Sequence, residues 1–179
     1  MITSQAKDSI ERIFQKAVRS RLPQASDDTC DIAPLAQSDI SATSAANAII
    51  LTISSIVFRL LLVFHFEEDE AMRDYFVKDP EQGSLREALL ETGNLCCGAM
   101  NQELLHYFPD LGMSTPYVLS ARCLPHLEEL RPDYLSSYAI TIKESVRLLA
   151  TICVCANALV DFAADISAVE ESSGELELF

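Results

Sequence analysis

The stretch Ala48–Phe66, AIILTISSIVFRLLLVFHF, decides the fold. It is apolar and about long enough to cross a bilayer as one helix, and it could equally make two buried strands. Arg59 lies near its middle, where insertion into a membrane costs roughly 2.5 to 3.5 kcal/mol. Ile, Val, Thr and Phe dominate it, the residue types that pack well on a pleated surface, and Ser54-Ser55 interrupts it. No basic cluster flanks it, and Glu67-Glu68-Asp69-Glu70 follows at once. These features favour two strands over 47–66 joined by a tight turn, with no membrane insertion.

Working outward, residues 4–21 read as a helix: Ser4 caps it, Ile10, Ile13 or Phe14, and Val18 repeat at helical spacing, and Pro23 follows its end. Residues 24–46 are rich in Ser, Asp and Ala. They offer one short strand over Cys30 to Leu35, placed at an edge by Pro34, and a loop over Gln37 to Ala46. Glu67 to Val77 predicts a short helix with acids in its first turn and Met72, Phe76 and Val77 inward. Asp79-Pro80-Glu81-Gln82-Gly83 is a break. Ser84 then opens the most helical stretch of the chain, running to about Phe108. Thr115 to Ser120 reads as a strand entered from a proline, and Leu124 to Leu135 as a surface segment with a helical turn. Tyr138 to Lys143 and Arg147 to Cys155 form a hairpin turning at Glu144-Ser145, although 146–160 also fits a buried helix.

The fold class is therefore α+β, a largely antiparallel sheet covered by two longer helices. At 179 residues this is one domain, assigned to 1–160, followed by an acidic tail over 161–179. The formal charge is −14; the tail holds six acids and no Lys or Arg, which leaves −8 on the body. Such acidity excludes nucleic acid as the main ligand, because phosphate backbones need clustered Lys and Arg. Met1 to Asp8 lacks the features of a secretion signal. The six cysteines then read as reduced, apolar side chains in a cytoplasmic protein. Neither they nor His65, His106 and His126 have metal-ligand spacing, so no metal site is assigned.

On a helical wheel, Ser84–Phe108 separates into two faces. Leu89, Cys96, Met100 and Tyr107 form one stripe, flanked by Leu85, Thr92, Gly93 and Leu104, and this stripe faces the sheet. Glu87, Glu91, Asn94, Gly98, Asn101 and Gln102 share the opposite side, with Glu91 and Asn94 adjacent on the exposed ridge. A solvated face accounts for Glu and Gln. Asn is a poor helix former, and each interior glycine costs up to about 1 kcal/mol relative to Ala. Gly93, on the buried side, is expected to let the helix sit close to the sheet. Gly98, on the exposed side, would let a partner approach. The pattern suits a protein-binding helix as well as a plain solvated face.

Glu91-Thr92-Gly93-Asn94-Leu95-Cys96-Cys97-Gly98 resembles the E-x-x-N-x-x-x-G helix of the bacterial CheC/CheX/FliY phosphatases, which act on phosphorylated CheY-type response regulators. The likeness is to the CheX-like members in particular. They often show E-L-G-N at this point and continue through a Thr-Pro segment into a strand of the type V-V-S-G-R. Thr115-Pro116-Tyr117-Val118-Leu119-Ser120-Ala121-Arg122 is similar. The strand pair and short helix ahead of the motif match in order, with Ser54-Ser55 where such chains often carry glycines. The resemblance spans roughly 47–155. The chain departs from the pattern in having Glu87 where Asp or Ser is common, in a longer stretch before the first long strand, and in its acidic tail.

The resemblance implies hydrolysis of the regulator's aspartyl phosphate, with Asn94 orienting the attacking water and Glu91 pairing with a regulator lysine. Glu87, Gly98, Asn101 and Gln102 would complete the partner-binding face. It implies no cofactor in this chain, Mg²⁺ in the regulator's pocket, and a homodimer. The competing expectation, motivated by Glu87, is an inactive adaptor that docks a regulator or a flagellar or chemotaxis partner through the same face. A small-molecule sensor has no supporting feature, since no glycine-rich phosphate loop is present.

Overall fold

The computed structural model describes residues 1–36, 46–78 and 83–165. The decisive stretch forms a hairpin of β2 (Asn47–Ser54) and β3 (Phe58–Phe66). In it Ile49, Leu51 and Ile53 of β2 and Phe58, Leu60, Leu62 and Phe64 of β3 point to one core, while Ala48, Ile50 and Val63 point to a second one on the opposite side of the sheet. Burial on both faces explains why this segment reads as one continuous apolar run and not as an alternation. Arg59 is exposed at the start of β3, and no helix among the described residues is long and apolar enough to cross a membrane.

The hairpin lies within a seven-stranded antiparallel sheet with β1 (Cys30–Leu35), β4 (Gly112–Met113), β5 (Tyr117–Ser120), β6 (Tyr134–Ile142) and β7 (Val146–Ala156). The order is β1-β6-β7-β3-β2-β4, with β5 also paired to β2. β1 is an edge strand, and its Pro34 lies opposite Tyr138. One face is covered by α1 (Ser4–Arg21), α2 (Glu70–Phe76) and α3 (Leu85–Leu105), which close the main core over Phe14, Met72, Leu89, Met100 and Tyr138. A 3₁₀ helix, Ala121–Leu130, covers part of the other face, setting Ala121, Leu124 and Leu127 over Ala48, Ile50 and Val63.

Several expectations are corrected in detail. Thr3, not Ser4, caps α1, its hydroxyl accepting from the Ala6 N–H at 3.2 Å. α3 ends at Leu105 with His106 as its cap, one turn short of Phe108. The helical turn expected within 124–135 is part of a longer 3₁₀ helix that accommodates Pro125 within it, and β6 begins at Tyr134, earlier than the expected Tyr138. The early part of β6 was hidden by Ser136 and Ser137, polar residues in a strand; Ser137 is buried and its hydroxyl is paired with that of Thr151 at 2.7 Å. β4, only two residues long, carried no readable pattern. Residues 146–156 are strand and not helix. The β6–β7 turn manages without glycine because Lys143 and Glu144 both adopt the left-handed conformation, at φ 50° and 62°.

Residues 161–165 are docked and not frayed. Asp161 accepts from the Thr3 hydroxyl at 2.8 Å, Phe162 packs on Tyr107 and Phe108, and the Ala164 N–H donates to Ser9 Oγ at 3.0 Å. The rest of the expected tail, the loop over 37–45 and the break over 79–82 lie outside the described residues.

Candidate functional site

The candidate site is the outer ridge of α3. The helix starts where it does because Ser84 and Glu87 form a reciprocal cap: Ser84 Oγ accepts from the Glu87 N–H at 3.2 Å, and the Ser84 N–H donates to Glu87 Oε2 at 3.0 Å. The bond from the Ser84 N–H first, and then one from the Ser84 hydroxyl to the same Oε2 at 2.9 Å, hold the Glu87 carboxyl below its ordinary pKa. Glu87 thus has a local structural role that Asp or Ser, with a shorter reach, would not fulfil in the same way.

The buried side of α3 carries Leu85, Leu89, Thr92, Gly93, Cys96, Cys97, Met100 and Leu104. Burial pushes the Cys97 thiol up to about 12 and the Cys96 thiol in the same direction, so neither serves as a nucleophile at neutral pH. At Gly93 the expectation is corrected. A Cβ there would meet Leu51, Phe64 and Ile49 at 3.5, 3.5 and 3.7 Å, which is ordinary contact, so close packing does not require glycine. A void of about 10 Å³ beside it, lined by Leu22, Phe64, Leu89 and Gly93 among others, is apolar and too small for a ligand.

The outer side presents the residues singled out from sequence. Glu91 and Gln102 are exposed and Asn94 is half-buried. Glu91 has no ion pair and the Asn94 carboxamide no hydrogen bond among the described residues. At Gly98 a Cβ would meet nothing within 4 Å, so the glycine leaves open space on the ridge. Asn101 stands apart: it is half-buried and its Oδ1 is buried without a partner, so this oxygen is not offered to solvent. Sequence reasoning passed over Leu95, which is 50% exposed beside Asn94 and one turn beyond Glu91. The available signal was an apolar residue on the polar side of the wheel.

The ridge is convex, and it offers a carboxylate, a neutral amide, an exposed leucine and a gap where a side chain is missing. That combination suits a macromolecular surface better than a small ligand. Among the described residues no three His, Cys, Asp or Glu side chains converge as a metal site.

No family model matches the chain, and no curated protein matches it in sequence. Solved structures do match. The CheX–CheY–BeF₃–Mg²⁺ complex from Borrelia burgdorferi aligns with a TM-score of 0.56 at 11% identity, over 84% of this chain and 97% of that one. A CheC-like superfamily protein from Shewanella sp. PV-4 aligns at 0.53 and 10% identity, over 85% and 98%. Thermotoga maritima FliY aligns at 0.52 and 12% identity, over 84% and 90%. The chain has the CheC/CheX/FliY fold. Within the CheC/CheX/FliY fold as this chain builds it, β2 and β3 support α3 through Ile49, Leu51 and Phe64, and α1 lies alongside. Lys16 of α1 and Glu103 of α3 pair at 2.9 Å with both side chains about three-quarters covered, which fixes the two helices against each other.

Proposed function

We propose that this chain accelerates hydrolysis of the aspartyl phosphate of a CheY-type response regulator, using the outer ridge of α3. The observation that carries this is the pairing of an unengaged Asn94 carboxamide with an exposed Glu91 and an open Gly98 on one convex helix face. The likeness of the fold to a protein crystallised as a CheX–CheY complex adds support.

In the reaction, a water oxygen bonds to phosphorus while the bond from phosphorus to the aspartyl oxygen breaks, releasing the carboxylate and inorganic phosphate. The transition state is loose, so placing the water in line matters more than deprotonating it. Asn94 is suited to placing it, because its amide both accepts from and donates to water and is uncharged at any working pH. It can enter an anionic pocket without repelling the phosphoryl oxygens, and holding the water there offsets an entropic cost. Glu91 would repel the phosphoryl group at that position and is better matched to a lysine on the regulator, which sets the register of docking. No cofactor is assigned to this chain; Mg²⁺ belongs to the regulator's pocket, where it offsets phosphoryl charge. The six free thiols suit a cytoplasmic setting.

Phosphate release from a phosphorylated regulator, measured with wild type and with Asn94→Ala, tests the assignment. The variant should lose the acceleration while binding stays within a few-fold. Unchanged release by the variant would remove Asn94 from the mechanism. Binding by wild type without faster release would identify an adaptor.

A further inference from the structure

In a chain of net charge −14, α1 is a basic element: it holds Lys7, Arg12, Lys16, Arg19 and Arg21, five of the thirteen Lys and Arg residues, against Asp8 and Glu11. Ala6, Ile10, Ile13, Phe14 and Ala17 turn one side of the helix into the core. At 100° per residue Arg12 and Arg19 fall opposite those positions and point outward, and Lys16 falls on the flank that meets Glu103 of α3. Arg12 and Arg19 are exposed and have no ion pair among the described residues. Their bonds stay within α1: Arg12 Nε donates to the Asp8 carbonyl at 3.3 Å, and Arg19 Nη1 to Gln15 Oε1 at 3.5 Å.

This outward side is continuous with the ridge of α3. The two helices run antiparallel: the Ala164 N–H reaches Ser9 Oγ and the Asp165 N–H reaches Tyr107 Oη at one end, while Leu22 shares a void with Leu89 and Gly93 at the other. With Lys16 and Glu103 level, a rise of 1.5 Å per residue puts Arg19 about 9 Å and Arg12 about 20 Å along the axis from Asn94, with Glu91 about 5 Å to its other side. Packed helices lie about 8 to 10 Å apart. All four residues therefore fit one patch, since a standard interface covers about 800 Å² on each partner, roughly 30 Å across. Charge is ordered along the patch: the Glu91 carboxylate, then neutral Asn94 and the exposed Leu95, then Arg19 and Arg12.

We propose that Arg12 and Arg19 extend the docking face onto α1 and bind an acidic patch on the response regulator, on the side of its phosphorylated aspartate away from the lysine that Glu91 meets. This deepens the function proposed above and rests on it. A chain of charge −14 repels an anionic regulator at long range. Within a Debye length, about 8 Å at 0.15 M salt, the two guanidinium groups reverse that local field. Arginine suits the task because its planar fork meets a carboxylate through two parallel bonds. The order of charges also selects one orientation. Turned end for end, the regulator would set its acids on Glu91 and its lysine on the arginines, and such like-charge contacts suppress the wrong pose. The allowed pose brings the phosphoryl group to Asn94.

The test titrates a CheY-type regulator, held in its active form by beryllofluoride and Mg²⁺, with wild type, Arg12→Glu/Arg19→Glu, Arg12→Lys/Arg19→Lys and Arg59→Glu/Arg147→Glu. The last pair makes the same change of net charge at exposed sites on the opposite face of the sheet, where the flanking Phe58, Leu60, Val146 and Leu148 turn to the main core. Circular dichroism checks that each variant is folded. Reversal on α1 should raise Kd about tenfold in 50 mM salt, and by less than about threefold in 0.5 M salt, where the screening length falls to roughly 4 Å. The lysine pair and the far-face pair should stay within about threefold of wild type. With phosphorylated regulator, reversal on α1 should raise KM and leave kcat unchanged. No weakening by the α1 reversal, equal weakening by both reversals, or a loss indifferent to salt would each overturn the proposal and leave the role of Asn94 standing. Binding by wild type without faster release, weakened by the α1 reversal as stated, would keep the arginine contact and refute hydrolysis. Absence of binding by wild type overturns both.

Discussion

Gly98→Ala should make the protein more stable and a poorer binder at once. A Cβ at this position meets nothing within 4 Å, so the substitution incurs no clash in the free protein. It removes an interior glycine from a helix, worth about 0.8 to 1 kcal/mol, which for a chain of this size raises Tm by about 2 to 4 °C. Against a docked partner the same methyl occupies the gap the ridge offers. Forcing an extra carbon into a packed contact costs about 1 to 3 kcal/mol, or roughly fivefold to a hundredfold in Kd. Gly93→Ala is the control. It brings the same helical gain, and its Cβ rests at 3.5 to 3.7 Å from Leu51, Phe64 and Ile49 inside the core, so Tm should rise and affinity stay unchanged. Thermal melts followed by circular dichroism, with titration of a phosphorylated regulator, measure both quantities. If Gly98→Ala raises Tm but leaves affinity where it was, the ridge is not the docking face. A fall in Tm would show that the space above Gly98 is not free.

Three further outcomes follow from the fold. His65 is buried, its Nε2 is 3.1 Å from Thr151 Oγ1, its Nδ1 has no partner, and burial lowers its pKa to about 4. Since the unfolded chain binds the proton near pH 6.5, stability should be full above that pH. It should fall by on the order of 3 kcal/mol as pH drops toward 4; urea unfolding across this window checks it, and a flat profile or one unaltered in His65→Leu would contradict it. Glu144→Gly relieves an L-residue at φ 62° and should add about 1 kcal/mol in the same assay, whereas Lys143, paired with Asp28 at 3.1 Å, is best left in place. Ser84→Ala removes the α3 cap and should cost about 1 kcal/mol, read as a lower Tm.

The polar ridge of α3 was legible because helical periodicity is a local property: once Ser84 starts the helix, Glu91, Asn94 and Gly98 fall on one side whatever lies beneath. The hairpin of β2 and β3 was legible because its residue types and its arginine near the middle favour strands over the membrane alternative. Leu95 was not singled out, because exposure belongs to the packed molecule; a leucine at the edge of the polar side is read by default as core. The tail boundary was misplaced for a similar reason. Phe162 and Ala164 sit among acids in the sequence, and only the assembled fold provides Ser9, Tyr107 and Phe108 for them to pack on.

By itself the sequence determined the α+β class, the positions of the long helices and most of the sheet strands, and the side of α3 that carries Glu91 and Asn94, because each follows from periodicity and residue type within a short window. Only the tertiary structure decided that Gly93 has room for a methyl while Gly98 faces open space, that Glu87 is held by Ser84, and that a basic α1 lies antiparallel to the ridge, pinned by Lys16 and Glu103. Those features depend on how the elements pack and on side-chain distances that no local pattern encodes.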